Sequence, residues 1–162
     1  MESSVPRVAI AEVQAFEPVR LSSYLDGEGV WRIGWGHAGP DILPGVQWSR
    51  EQADQALALD LAAIAAELRD LLAQKVTLGL NQFGALVAFI YQIGVQNFAG
   101  SQVFTLVAQG DFSAVPAVMR QWRQWRDPHT RRLVLSTRLT HLREAEIALW
   151  QAADDENAFF SP

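Results

Sequence analysis

Residues 16–37 read FEPVRLSSYLDGEGVWRIGWGH, and this stretch decides how the chain is interpreted. A helical apolar pattern ends at Glu17, because a residue that precedes proline is driven away from the α-helical region. The DGEG segment at 26–29 is typical of a turn, and residues 30–35 alternate as a strand does. The sequence therefore predicts a helix followed by a hairpin or three-stranded ribbon.

Two carboxylates come from different elements of this stretch. Glu17 lies at the helix end, and Asp26 opens the turn nine residues later. Glycoside hydrolysis needs such a pair: one carboxyl protonates the leaving oxygen, and the other handles water or the oxocarbenium charge. As the acid, Glu17 must hold its proton, which burial favours. Taken alone, Glu17 is equally a solvated helix-end residue, and Asp26 is a turn former before glycine.

The motif resembles that of the phage-type lysozymes of the T4 lysozyme family (glycoside hydrolase family 24, phage endolysins and muramidases). That family's signature is Glu, eight residues, Asp, five residues, Thr, and then Ile-Gly-aromatic-Gly-His. Glu17, Asp26 and the IGWGH segment at 33–37 match it without a gap. A second block, residues 81–94, is similar to the family's central buried helix. The resemblance extends from about Val8 to Trp150, nearly the whole chain.

Two departures fall inside the first motif: Arg32 stands at the Thr position, and Pro18 replaces the usual Gly. A hydroxyl both donates and accepts, so it can hold a water molecule, whereas a guanidinium only donates and is always charged. Near Glu17, Arg32 would disfavour the protonated acid; near Asp26, it would form an ion pair and displace water. The alternative is an arginine that turns to solvent or binds a substrate carboxylate. We expect reduced or altered activity.

The resemblance implies roles for further residues. Glu17 and Asp26 are the expected catalytic pair, with Arg32 beside them. The expected substrate-binding residues are Gln92, Trp122, Arg126 and Arg138, and the expected structural residues near the site are His37 and Tyr24. For Gln92 the alternative is a helix-end role, and for Trp122 it is a core position. The three histidines lack metal-ligand spacing, and no metal or cofactor is expected.

Capping signals and periodicity predict the remaining elements. Ser4 is a plausible N-cap for the first helix, with Pro6 in its first turn. Ser49 and Gln52 form a capping-box pattern that begins a helix running to about Lys75. Helices are also predicted over residues 81–93, 102–109, 113–126 and 133–151, with Trp122 and Trp125 on one helix face. The composition of residues 1–4 and about 152–162 predicts disorder.

The predicted fold class is mainly α (α+β), with a lysozyme-like two-lobed architecture in a single domain of residues 1–162. A small β-ribbon lobe covers about 16–48, and a long helix at about 49–75 joins it to a helical lobe at about 76–151. Residues 152–162 form a tail. The cleft is expected between the lobes.

Composition limits the function classes. Thirteen basic and eighteen acidic residues give a net charge of −5, which argues against nucleic acid as a partner. The absence of cysteine fits a reducing cytoplasm. The N-terminus lacks the features of a signal peptide, and no segment reaches the roughly 20 apolar residues of a membrane span. We expect a monomer made in the bacterial host cytoplasm, with a holin or another export route to the periplasmic wall.

The resemblance implies a peptidoglycan muramidase that cleaves the β-1,4 bond between N-acetylmuramic acid and N-acetylglucosamine with inversion. Two alternatives stay open at this point. One is a peptidoglycan-binding module that keeps the cleft but has lost turnover because of Arg32 and Pro18. The other is a structural domain of a phage tail or secretion apparatus.

Overall fold

The computed structural model describes residues 5–73 and 75–154. Seven helices and five strands lie in these ranges. The helices are α1 (Arg7–Phe16), α2 (Arg50–Leu72), α3 (Leu80–Ile93), α4 (Val95–Ala99), α5 (Gln102–Gln109), α6 (Val115–Met119) and α7 (Thr137–Gln151). The strands are β1 (Arg20–Leu25), β2 (Trp31–Gly34), β3 (His37–Ala38), β4 (Gln124–Arg126) and β5 (Leu133–Leu135).

The predicted ribbon is a three-stranded antiparallel sheet in the order β1-β2-β3. Tyr24 pairs with Arg32 across β1 and β2, and Arg32 pairs with Ala38 across β2 and β3. The turn between β1 and β2 requires Gly29, whose φ of 81° is in the left-handed region that favours glycine. The loop before α2 lies along the other edge of β1, where the Trp48 amide donates to the Leu21 carbonyl at 2.8 Å.

The long helix α2 begins at the predicted capping box. The Ser49 hydroxyl accepts from the Gln52 amide, and the Gln52 side chain accepts from the Ser49 amide, so two of the helix's free N–H groups are satisfied. The helix ends at Leu72, three residues before the predicted end, because Ala73 adopts a left-handed conformation with φ 47°. Ala53, Leu57, Leu61 and other residues of the same helical face are buried.

Helix α3 is the centre of the core, as its nearly continuous apolar sequence predicts. Residues 84–90 are all buried, with α1, α2 and α7 packed around them. Gly84 allows α1 to approach closely, since a Cβ at this position would collide with Val8. Phe89 is fully buried in this helix.

The prediction of a helix over residues 113–126 is wrong beyond Met119. Residues 124–126 form β4, which pairs with β5 as a hairpin, and α7 begins at Thr137 with Ser136 as its N-cap rather than at Leu133. Asp127 explains the difference: its Oδ1 accepts from the amides of His129 and Thr130 and so stabilises the turn. Trp122 and Trp125 therefore do not share a helix face.

The two ends of the chain differ in part from expectation. Pro6 occupies the N-cap position of α1, and Ser4 lies outside the described residues. The prediction of a disordered tail from residue 152 is wrong for Asp154, whose carboxylate accepts from the amides of Leu80 and Asn81 and caps α3. Residues 155–162 lie outside the described part. Among the helices of the described residues, none has the length and apolarity that crossing a membrane requires.

Candidate active site

Glu17 lies where three helices converge. Its backbone ends α1 by donating to the Val13 carbonyl, as expected for a residue before proline. Its side chain is 15% exposed, and Oε1 accepts from Gln92 Nε2 of α3 at 2.8 Å and from Arg138 Nη2 of α7 at 2.5 Å. The structure therefore brings the predicted acid together with two of the four predicted substrate-binding residues.

Asp26 is held by three donors. Its Oδ1 accepts from the Glu28 and Val30 amides, both at 2.9 Å, and Oδ2 accepts from Arg32 Nε at 2.5 Å. Burial raises the pKa of Asp26, but these hydrogen bonds and the charge of Arg32 outweigh it and bring the pKa below its ordinary value. Asp26 is therefore an ionised group whose two oxygens are both engaged.

Arg32 contacts Asp26 rather than Glu17. Its Nε donates to Asp26, and Nη1 also donates to the Gly36 carbonyl at 3.0 Å. The guanidinium therefore links the Asp26 turn to the connection between β2 and β3. A threonine at this position would be too short to make both contacts.

Tyr24 of β1 is influenced by both carboxylates. Burial raises the pKa of its phenol, and the charge of Glu17 raises it further, as does that of Asp26; Arg20 and Arg32 act in the opposite direction. The Arg20 guanidinium lies 4.3 Å from the centre of the Tyr24 ring.

Two carboxylates of α2 fix the ribbon. His37 Nδ1 lies 2.8 Å from Asp60 Oδ2, and Trp35 Nε1 donates to Asp54 Oδ1 at 2.7 Å. From α3, the Tyr91 hydroxyl donates to the Trp35 carbonyl at 2.7 Å, and burial raises the pKa of that hydroxyl far above its ordinary range. His37 is thus held against α2 in an ion-pair geometry with Asp60.

Sequence reasoning missed Asp54, Asp60 and Tyr91 as supports of the ribbon. A signal for the first two exists in the helical pattern. Each carboxylate is next to a buried residue of α2, Asp54 after Ala53 and Asp60 before Leu61, and so lies at the border of the buried face. An acidic residue at such a border commonly has a specific partner.

Two expected substrate-binding residues lie apart from these contacts. The Trp122 ring packs edge-on against Phe89, with 6.0 Å between centroids, and its carbonyl accepts from Arg143. Arg126 Nη1 donates to the Arg131 carbonyl at 2.6 Å within its own hairpin. Among the described residues, no hydrogen bond or ion pair joins either of them to Glu17 or Asp26.

Comparison with known proteins identifies the family. The family model for phage lysozyme matches residues 14–146, which include every catalytic candidate. The chain belongs to the phage lysozyme family. The SAR-endolysin of bacteriophage PS119 is 31% identical over 139 residues, covering 83% of this chain and 77% of the relative. The SAR-endolysin of enterobacteria phage P21 is also 31% identical, with 83% and 78% covered.

Solved structures agree with this membership. The muramidase domain of SpmX from Asticaccaulis excentricus has a TM-score of 0.83 and 27% identity, covering 92% of this chain and 98% of that domain. The endolysin of Escherichia coli O157:H7 phage FAHEc1 has a TM-score of 0.79 and 27% identity, with 93% and 94% covered. The predicted family, fold class and peptidoglycan-hydrolase function are confirmed: this phage lysozyme family member is a glycoside hydrolase.

Proposed function

We propose that the chain is a muramidase that hydrolyses the β-1,4 bond between N-acetylmuramic acid and N-acetylglucosamine with inversion. In this proposal Glu17 protonates the glycosidic oxygen, and Asp26 orients the attacking water. The convergence of Gln92 and Arg138 on Glu17 is the observation that carries it, since this acid is held from three helices while Asp26 comes from the ribbon. Inverting enzymes separate their carboxyl groups by roughly 6.5–9.5 Å to admit water.

Arg138 has two tasks in this proposal. In the free protein its Nη2 donates to Glu17 Oε1. Its side chain is exposed, so it can move to a muramyl or peptide-stem carboxylate when substrate arrives. Glu17 then keeps the Gln92 hydrogen bond and faces the glycosidic oxygen. We therefore propose Gln92 and Arg138 as substrate-binding residues; no described contact supports such a role for Trp122 or Arg126.

Glu17→Gln tests the acid. General acid catalysis contributes typically about 10²–10⁴-fold, so lysis of outer-membrane-stripped cells, followed as loss of turbidity, should fall by that factor. Glu28→Gln is the matched control, because Glu28 is an exposed glutamate of the ribbon turn and should keep full activity. Equal rates for the wild type and Glu17→Gln would refute the role of Glu17.

A second candidate is a peptidoglycan-binding module without turnover. The three donors on Asp26 favour it, since they leave only about one of the roughly four lone-pair sites of the carboxylate for water. Sedimentation with purified peptidoglycan, measured beside lysis, separates the two candidates. Binding without lysis in both the wild type and Arg32→Thr supports the module, and lysis that depends on Glu17 supports the enzyme.

We also propose that the protein acts as a monomer on the periplasmic cell wall after synthesis in the host cytoplasm. A cytoplasmic lysozyme needs a holin or another route across the inner membrane to reach peptidoglycan. Expression with and without a holin tests which route is used: lysis only with the holin supports a holin route, and lysis without one supports another export route. Size-exclusion chromatography with light scattering tests the monomer.

A further inference from the structure

Beyond the active site, the chain carries a β-hairpin with an unusual surface. The cationic hairpin, residues 123–135, consists of β4, the Asp127 turn and β5. Trp125 pairs directly with Val134, so these two side chains lie on one face. Leu133 pairs with Arg126 and Leu135 pairs with Gln124, so both leucines lie on the other face. Apolar side chains therefore project from both faces of a short two-stranded sheet.

These apolar side chains are open to solvent. Trp125 is 45% exposed, Leu133 59%, Val134 40% and Leu135 60%. Four such side chains within eleven residues leave both faces of the hairpin apolar and exposed, and exposed apolar surface of this kind marks interaction sites. The hairpin is held in place by its turn and by the Ser136 amide, which donates to the Arg123 carbonyl at 2.9 Å.

The cationic hairpin carries positive charge within an acidic protein. Residues 123–135 contain four arginines and one acidic residue, a formal charge of +3, whereas the whole chain carries −5. Two further arginines flank it and are paired. Arg120 pairs with Glu144, and Arg138 pairs with Glu17. Within the part of the chain that the structure describes, Arg123, Arg131 and Arg132 form no ion pair, and all three are exposed.

We propose that the cationic hairpin binds the surface of an anionic phospholipid bilayer. Arginines near such a surface are attracted to its phosphates, and tryptophan prefers the interface between headgroups and acyl chains. Leucine and valine favour a hydrocarbon environment and offer a glycan or a nucleic acid no hydrogen bond. The two leucines on one face of the hairpin and the valine on the other therefore favour lipid over either polymer.

Sedimentation with vesicles tests the proposal on the full chain. Vesicles of phosphatidylcholine with about one quarter phosphatidylglycerol should bind the wild type, and pure phosphatidylcholine should bind it much more weakly. Each arginine lost should weaken binding about fivefold, so the triple variant Arg123→Gln/Arg131→Gln/Arg132→Gln should lose about 100-fold. Arg7→Gln, an exposed arginine of α1, is the charge control and should bind as the wild type does.

Leu135→Ser tests the apolar contribution. It should weaken vesicle binding about tenfold, while Leu59→Ser, a change at an equally exposed leucine of α2, should have no effect. Circular dichroism and thermal melting check that every variant is folded.

Three results would overturn the proposal. One is equal binding to neutral and anionic vesicles or to neither, and another is an effect of the triple variant no larger than that of Arg7→Gln. The third is a triple variant that loses affinity for purified peptidoglycan as strongly as for vesicles, because the hairpin would then serve the glycan.

Discussion

Replacing Arg32 with threonine removes one of the three donors that hold Asp26. In the wild type, Asp26 Oδ2 accepts from Arg32 Nε at 2.5 Å, and the Asp26 side chain is only 18% exposed. A hydrogen bond to a charged group contributes about 1.5–3 kcal/mol, and partial exposure of Arg32 places this one near the lower end. A water molecule that takes this position during hydrolysis must displace the guanidinium at that cost.

Arg32→Thr should therefore raise kcat about tenfold, because about 1.4 kcal/mol of barrier corresponds to a factor of ten. KM should change little, and the free energy of unfolding should fall by about 1.5 kcal/mol with the lost charged hydrogen bond. Initial rates on dye-labelled soluble peptidoglycan give kcat and KM, and urea denaturation gives the free energy of unfolding. Arg20→Thr is the matched control: it removes the same charge from the neighbouring strand, where the guanidinium lies over Tyr24. A kcat of Arg32→Thr at or below that of the wild type would refute the reasoning.

Two further predictions concern stability. Burial raises the pKa of Glu146 from 4.5 to about 7, although the Arg143 ion pair opposes the shift, so the folded protein binds more protons than the unfolded chain in that range. The contribution of Glu146 to stability should thus be fully present below about pH 4.5 and be lost as the pH rises through about 7; in urea denaturation Glu146→Gln should flatten the slope of stability between these pH values, and an unchanged slope would exclude Glu146 as its source. Leu61→Ala, at a fully buried position of α2, should cost about 2–5 kcal/mol, whereas exposed Leu59→Ala should cost less than about 0.5 kcal/mol. Similar costs at both positions would contradict the described packing.

The elements that position the site follow from local signals. Pro18 sets the end of α1 at Phe16, and the glycine-rich turn after Asp26 sets the ribbon. The Ser49 capping box starts α2 at the predicted residue. Each of these features is fixed by residues within a few positions of one another, so the sequence predicts them without knowledge of the tertiary structure.

The cationic hairpin shows where local signals mislead. Trp122 and Trp125 are spaced as on a helix face, and this spacing favoured the wrong element. A proline follows Asp127, and a carboxylate before proline often starts a turn; with the β-favouring residues 133–135 this signal points to a hairpin. Trp122, just before the hairpin, packs against Phe89, 33 positions earlier, a contact that no local pattern predicts.

The hydrogen-bond partners of the site residues could not be predicted from the sequence, for a different reason. Arg138 reaches Glu17 across 121 positions, and Gln92 reaches it across 75. Neither contact has a local pattern, since both depend on how α1, α3 and α7 pack. Whether Arg32 contacts Glu17 or Asp26 likewise depends on strand register, which pairs Arg32 with Tyr24 and brings it to the Asp26 turn.

The reducing ends released from purified peptidoglycan test the central claim most directly. After borohydride reduction and mass spectrometry, the account predicts reduced N-acetylmuramic acid from the wild type and only background from Glu17→Gln. Release of reduced N-acetylglucosamine or of anhydro ends, or the same muramic acid yield from Glu17→Gln, would contradict a muramidase in which Glu17 is the acid.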